Sequence, residues 1–257
     1  MRAIRDNLNS TSVDIDVSHI LGEGEFRITY RGRYTNGERQ QQHAACKKFK
    51  NSYYEKEFYE CNYDFKVIDK AVEFAIGWNI DVCRYSFENI QFTRGDYIVQ
   101  RGTRYLMEPI IQPFYKYTNN AGWINDSACT SIQMLEAFCH YTYHKSGGNL
   151  LVCDLQGLFK VNRHAFFKSR YILTDPAICS RKRQFGPTDL GEKGIESFFA
   201  NHVCNKFCRK YGDGKWQRPR NPTNWFVNHH RNNNDGHTCF LKLQDTYKLQ
   251  AKNKAYF

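Results

Sequence analysis

No apolar run in this sequence approaches the roughly 20 residues that a bilayer-spanning helix requires, so no transmembrane segment is expected. The opening residues, Met1-Arg2-Ala3-Ile4-Arg5-Asp6-Asn7, lack the apolar stretch of a secretory signal. Both absences point to an intracellular, cytoplasmic protein without a membrane partner. No internal repeat or low-complexity tract is evident, which argues against repeat architectures. No calcium-loop, calmodulin-type or coiled-coil segment stands out, so the sequence names no regulator and no oligomeric state. Charge of one sign is never gathered into a long run. The excess of 37 Lys+Arg over 26 Asp+Glu, a net +11, is dispersed, with Arg181-Lys182-Arg183 as its densest cluster. Nucleic acid, a membrane surface or an acidic substrate would each suit that charge. No nucleic-acid-binding motif accompanies it, so a solvated basic face is the simpler account.

What is present is enough for a core. A chain of 257 residues fits one large domain or two small lobes, and 41% hydrophobic with 16% aromatic residues marks a folded protein. Ten cysteines without a secretory signal favour thiols and metal ligation over disulfides. Most, such as Cys46, Cys139 and Cys153, lie in apolar contexts and read as small buried hydrophobes.

Residues 1 to about 17 read as a polar arm or edge strand. Ile20 to Tyr30 reads as a glycine turn, with Gly22 and Gly24, between two strands. Tyr34-Thr35-Asn36-Gly37 signals a hairpin, and Ala44-Ala45-Cys46-Lys47-Lys48-Phe49 a short strand. A glycine turn followed by a strand lysine suits nucleotide phosphates, although most strand lysines merely face water. The three-to-four spacing of Phe58, Cys61, Phe65, Ile68, Val72, Ala75 and Ile76 predicts one long helix from Tyr54 to a stop at Gly77. Its Glu57, Glu60 and Glu73 are candidate partners for Lys47. Strands follow near Tyr97-Ile98-Val99 and Tyr105-Leu106-Met107. The second ends in Glu108-Pro109, since proline donates no ladder bond. Lys116 to Gly122 reads as a loop and Ser131 to His144 as a helix.

The chemistry concentrates between Leu150 and Cys208. Leu150-Leu151-Val152-Cys153 is an apolar strand ending at Asp154, and strand alternation places Gln156 on the same side. A carboxylate there can orient a hydroxyl nucleophile, and an amide oxygen beside it can serve Mg²⁺. Asp175, in Thr174-Asp175-Pro176, is a candidate second Mg²⁺ ligand; turn capping is the plainer reading of either Asp. Gly186-Pro187-Thr188-Asp189-Leu190-Gly191 precedes a helix, and Asp189 with Glu192 fits a capping box. His202, Cys204 and Cys208 have the donor chemistry of a zinc site. For all three to meet one metal, the helix before them must end or bend near His202, because His202 and Cys204 would otherwise point to opposite sides. The fourth ligand is open among His140, His144, Cys139 and His164.

Residues 22 to 208 carry a family resemblance. Asp154-Leu155-Gln156-Gly157, Leu173-Thr174-Asp175-Pro176, Gly186 to Gly191 and the His202/Cys204/Cys208 signature stand in the order found in the alpha-kinase family of atypical serine/threonine protein kinases. The resemblance implies an α+β, two-lobed protein-kinase-like fold: an arm to residue 17, an N-lobe over about 18–107, a C-lobe over about 108–210 carrying a structural zinc site, and an extension over 211–257. It implies ATP in a cleft, Mg²⁺, structural Zn²⁺ and a protein substrate with a Ser/Thr acceptor. By the same resemblance Gly24 and Arg27 meet phosphate, Lys47 is the nucleotide-binding strand lysine, Glu108 lies next to adenine, and Lys116 and Asn120 match a further nucleotide segment. Asp154 matches the catalytic aspartate, Gln156 and Asp175 match Mg²⁺ ligands, and His140 matches the fourth zinc ligand beside His202, Cys204 and Cys208.

Three departures qualify the match. Leu158 to Tyr171 looks like an insertion, basic and aromatic, between Asp154 and Asp175. Asp189 stands where the family more often has asparagine, and its charge near a triphosphate would weaken binding. The extension past Cys208 has no functional reading. An active serine/threonine kinase is the leading expectation. A pseudokinase acting as a zinc-stabilised protein-binding module is the alternative, and a nucleic-acid-binding zinc protein a distant third.

Overall fold

The computed structural model describes residues 7–83, 88–125, 130–161, 169–208 and 215–226. It divides into two units, residues 1–72 with 92–112 and residues 73–91 with 113–257.

The first unit is built on a five-stranded antiparallel sheet. Its strands are β1 (Val13–Glu23), β2 (Arg27–Tyr34), β3 (His43–Phe49), β5 (Asp96–Gln100) and β6 (Thr103–Pro109), in the order β1-β2-β3-β6-β5. The polar N-terminal segment thus feeds an edge strand, which needs one apolar side only. Strand alternation separates two faces of β3. Ala44 and Cys46 enter a core with Val13, Tyr34, Tyr105 and Met107. Lys47 belongs to the opposite set, with Ala45 and Phe49.

Two helices stand where one was expected, α1 (Ser52–Glu60) and α2 (Tyr63–Asp81). Asn62 separates them with φ 53°, a left-handed conformation that asparagine tolerates better than most residues. Asn51 caps α1 by accepting the Tyr53 amide at 2.8 Å. Gly77 does not stop α2. A Cβ there would lie 2.7 Å from the Tyr141 hydroxyl, so the glycine permits close packing and the helix runs four residues further.

In the second unit a four-stranded sheet has the order β4-β10-β9-β7, from β4 (Glu88–Phe92), β10 (Ser169–Thr174), β9 (Gln156–Lys160) and β7 (Tyr115–Lys116). The expected loop at Lys116 therefore begins as a short strand. A separate pair joins β8 (Leu150–Cys153) to β11 (Ala177–Ser180). Helices α3 (Thr130–Lys145) and α4 (Gly191–Asn201) complete the unit. Trp78, Phe138, Leu151, Leu155, Tyr171, Phe198 and Phe199 are buried in this unit. No helix among the described residues is long and apolar enough to cross a membrane.

The expected insertion is, at its base, a continuation of the sheet. Phe159 pairs with Tyr171 and Lys160 with Arg170. Its Arg163, His164, Phe166, Phe167 and Lys168 lie outside the described residues, as do residues 1–6, 209–214 and 227–257.

Candidate functional site

The four strands around Asp154 and Asp175 form one bent antiparallel ribbon. β9 pairs with β10 on one side of the bend, Gln156 opposite Thr174. β8 pairs with β11 on the other, Cys153 opposite Ala177. The bend falls at Asp154-Leu155 on one chain segment and at Asp175-Pro176 on the other. Both aspartates adopt left-handed backbone, φ 55° and 51°, which aspartate accepts better than larger side chains. Leu155 anchors the bend from inside. Its side chain is buried, its amide donates to Thr118 Oγ1 at 2.9 Å, and its carbonyl accepts the Tyr117 amide at 2.9 Å. Gly157 is required by sterics: with φ 147°, a Cβ there would fall 2.1 Å from the Ile172 carbonyl oxygen.

Gln156 is not aligned with Asp154 by strand alternation, as expected, because the left-handed turn interrupts the strand between them. The bend nevertheless brings them together. The Gln156 amide nitrogen lies 3.4 Å from Asp154 Oδ2 and donates to the Asp175 carbonyl at 3.1 Å. Lys116, opposite Gln156 in the ladder, reaches Asp154 Oδ1 at 3.1 Å. Asp154, Gln156, Asp175 and Lys116 thus share one bend, with Gln156 buried and Asp175 exposed. With its nitrogen committed, Gln156 has its oxygen to offer a hard cation, and a carboxylate-and-amide set that retains waters suits Mg²⁺.

Asn120 donates to the Thr188 carbonyl at 2.9 Å, next to Asp189 in sequence. Asp189 is not the cap residue of α4, as the capping-box reading had it. Leu190 holds that position without a side-chain bond, and Asp189 accepts the Gly191 amide from one residue further back. It is buried and also accepts from Ser180 N at 2.8 Å, Ser180 Oγ at 2.5 Å and Phe185 N at 3.2 Å. Four donors thus hold this carboxylate in the loop joining β11 to α4.

In the first unit, Lys47 has a partner beyond the expected candidates Glu57, Glu60 and Glu73. Its ammonium pairs with Glu108 Oε1 at 2.6 Å, both side chains nearly enclosed. The register explains the choice, because Glu108 lies opposite Ala45, two residues from Lys47 on the same face. Arg27 donates to Asp64 at 2.7 and 2.5 Å and lies over the Phe49 ring, 4.0 Å from its centroid. Tyr97 also donates to Asp64; burial, then the Asp64 charge, pushes the Tyr97 hydroxyl well above its usual range. Gly24 occupies the turn between β1 and β2, its amide donating to the Arg27 carbonyl at 2.9 Å.

A second cluster gathers His140 from α3 with His202, Cys204 and Cys208 from the segment after α4. One donor atom from each lies within 4.8 Å of all the others. The helix ends where the ligand geometry demands it: α4 stops at Asn201 and His202 is extended, φ −75° and ψ 125°. Separations are 3.2 Å for His202 Nε2 to His140 Nδ1 and 3.6 Å for both Cys204 Sγ to His140 Nδ1 and Cys208 Sγ to His202 Nε2. A zinc tetrahedron with Zn–N near 2.0–2.1 Å and Zn–S near 2.3 Å has edges of about 3.3 Å for N to N and about 3.6 Å for N to S. The set therefore has the dimensions of a zinc site and could hold the ion.

Its surroundings fit as well. The other imidazole nitrogens face acceptors, His202 Nδ1 to Glu136 Oε2 at 3.0 Å and His140 Nε2 to the Gln217 carbonyl at 3.0 Å. Burial, then the neighbouring His202, pushes His140 down to about 3, which keeps it in the neutral form that ligates. Burial pushes the Cys208 thiol up to about 12, so it needs an adjacent cation to ionise. Of the other candidates, His144 stacks on Trp216, Cys139 is buried outside the set, and His164 lies outside the described residues. Sequence reasoning missed Glu136, Trp216 and Gln217. Only the position of Glu136, one helical turn before His140, could have signalled a role.

The family model of the alpha-kinase family matches residues 22–208. The chain is 36% identical over 149 residues to alpha-protein kinase vwkA of Dictyostelium discoideum, covering 55% of this chain and 22% of that protein. It is 34% identical over 101 residues to eukaryotic elongation factor 2 kinase of Mus musculus, covering 38% and 12%. The chain thus spans about a fifth or less of these curated relatives. Among solved structures, an alpha kinase from Entamoeba histolytica superposes with a TM-score of 0.59 at 24% identity, over 83% of this chain and 87% of that one. The alpha-kinase domain of myosin heavy chain kinase A in complex with AMPPCP gives 0.59 at 20% identity, over 77% and 86%. The fold is thus the α+β fold of these kinases, and the chain belongs to the alpha-kinase family.

Proposed function

We propose that this chain is an ATP-dependent protein kinase that transfers the γ-phosphate of ATP to serine or threonine of a protein substrate. Family membership supports the reaction class, and one of its structural neighbours is a kinase domain solved with an ATP analogue. The observation that carries the reading is the ribbon bend, which holds two aspartates in left-handed backbone with Gln156 between them.

In this reading Asp154 orients the acceptor hydroxyl and receives its proton, with the Lys116 ammonium 3.1 Å from its Oδ1. Gln156 and Asp175 would hold Mg²⁺, which when bound supplies charge stabilisation for the transferring phosphoryl group. By family resemblance, Lys47 and Arg27 of the first unit would hold phosphate oxygens, with Gly24 in the preceding turn and Glu108 next to adenine, and Asn120 and Asp189 of the second unit would be further nucleotide-binding residues. His140, His202, Cys204 and Cys208 hold a structural zinc with no coordination position left for chemistry. The protein acts away from the bilayer, in the cytoplasm.

A second reading, a pseudokinase serving as a zinc-stabilised binding module, draws support from the cations of the first unit. Lys47 and Arg27 each sit within hydrogen-bond distance of a carboxylate, so the phosphates must compete with Glu108 and Asp64. Incubation with γ-labelled ATP, Mg²⁺ and a basic acceptor protein, followed by phosphoamino-acid analysis, separates the two. The kinase reading expects labelled phosphoserine or phosphothreonine. ATP binding by calorimetry with no label in any acceptor or in the chain itself would favour the binding module.

A further inference from the structure

We infer that residues Lys215–Arg218 form a strap that completes the outer shell of the His/Cys metal set, with His144 as a positioning residue that holds the strap in register. The inference rests on the zinc reading above, but the strap lies beyond residues 22–208, the span that matches the family.

A metal-bound imidazole needs its second nitrogen fixed, because that bond selects the tautomer and aims the ligating nitrogen. His202 obtains its acceptor, Glu136, from within the matched span. His140 does not. Its Nε2 faces the Gln217 carbonyl oxygen at 3.0 Å, contributed by the strap. With Nε2 donating there, Nδ1 carries the lone pair and faces His202 Nε2 and Cys204 Sγ, where the ion belongs.

The Gln217 backbone is held from both ends. Its N–H donates to His144 Nδ1 at 3.3 Å while its C=O faces His140. His140 and His144 are one helical turn apart on α3 and so lie on one face of the helix. Gly148, at φ +80°, leaves the space beside the Gln217 side chain open; a Cβ there would come within 2.9 Å of Gln217 Nε2. Trp216 is buried, stacked on His144 with centroids 5.9 Å apart and edge-on to His140 at 5.3 Å. It also meets Trp78 and Tyr141, so a large apolar side chain shields the donor set from water. Arg218 pins the far end by donating to the Phe199 carbonyl at 3.1 Å, and the Phe199 ring is itself edge-on to His140 at 5.0 Å.

A strap that merely adds packing would change stability without touching metal exchange. A strap that orients His140 and excludes water must slow zinc release. The test uses the full chain and follows zinc transfer to a chromophoric chelator, with metal content and circular dichroism measured beside it. Arg218→Ala, at an exposed position, and Trp216→Ala are compared with Ile90→Ala, which truncates a buried side chain of β4 in the same unit. The expected result is one zinc per wild-type chain and release at least about tenfold faster from both strap variants. Release from Ile90→Ala should stay within about twofold of wild type, because its cavity leaves the outer shell intact. Should Trp216→Ala fail to fold, Arg218→Ala and Trp216→Phe decide. Unchanged release from the strap variants, or equal acceleration in Ile90→Ala, overturns the inference while leaving the zinc site standing. Wild-type protein without zinc overturns the zinc reading and the strap with it.

Discussion

The ribbon bend at Asp154 and Asp175 and the set of His140, His202, Cys204 and Cys208 both gather polar side chains in the second unit, but on different plans. At the bend the backbone is left-handed at two non-glycine residues, Asp175 is exposed, and Asp154 is about a quarter exposed. At the His/Cys set three of four ligands are buried, and both imidazoles are held from behind by acceptors. Strained, accessible carboxylates suit something that arrives and leaves. Enclosed soft ligands with a complete outer shell suit an ion that stays. The comparison teaches that one unit can hold two polar clusters on opposite plans, which the proposed reading assigns to chemistry and to stability respectively.

If the His/Cys set holds a structural zinc as proposed, disrupting that set should have the largest effect. Structural zinc contributes about 10–16 kcal/mol in small zinc modules, so Cys204→Ala should lower soluble yield and erase near-ultraviolet dichroism of the second unit. Zinc analysis and a thermal melt check this; a stable, zinc-free variant with native dichroism would remove the distinction between the clusters. Gly157→Ala comes next. A Cβ 2.1 Å from the Ile172 oxygen must push the two ribbon strands apart, at a cost on the order of 3 kcal/mol by urea unfolding. That variant should also lose phosphate transfer while keeping its zinc.

Asp189 should behave as a structural hydrogen-bond acceptor. Asp189→Ala leaves four donors without their acceptor and should cost about 2–3 kcal/mol, whereas Asp189→Asn, which keeps one acceptor oxygen, should cost about half as much. Equal losses would mean that volume, not hydrogen bonding, sets the cost. The smallest effect is expected at Asp81. A hydrogen bond from Lys145 lowers its carboxyl from the usual value, with burial opposing and Tyr141 assisting. Its folded value is depressed, so its stabilisation is present above the unfolded value near 3.8 and is lost as pH falls through the folded value. Asp81→Asn should therefore cost no more than about 1 kcal/mol at pH 7 and nothing in strong acid, read from melting curves across that range.

Much of this was legible in the residues. The spacing of His202, Cys204 and Cys208 called for a helix end or bend near His202, and α4 ends there. Glycine turns and short apolar runs marked strands of the first unit's sheet, β3 and β6 among them. The failures share a cause: they depend on single backbone torsions or on partners distant in sequence. A lone left-handed Asn62 splits one helical pattern into two helices without disturbing its apolar spacing. Gly77 read as a stop because its reason, the Tyr141 hydroxyl, is 64 residues away. The turn at Asp154 brought Gln156 near for a reason other than alternation. Lys47 found Glu108 through sheet register, which no local pattern encodes. The strap at Lys215–Arg218 has no periodicity at all, and only its tryptophan hints at burial.

The measurement that bears most directly on the kinase reading is phosphate transfer by Asp154→Asn, purified beside wild type with zinc content and melting temperature recorded for both. Asparagine accepts the left-handed backbone but cannot take a proton from the acceptor hydroxyl. The expected result is unchanged zinc, stability within about 1 kcal/mol, and transfer reduced by about 10²–10⁴-fold. Transfer at the wild-type rate from this variant would contradict the assignment of Asp154 and the reading of the bend as the site of chemistry.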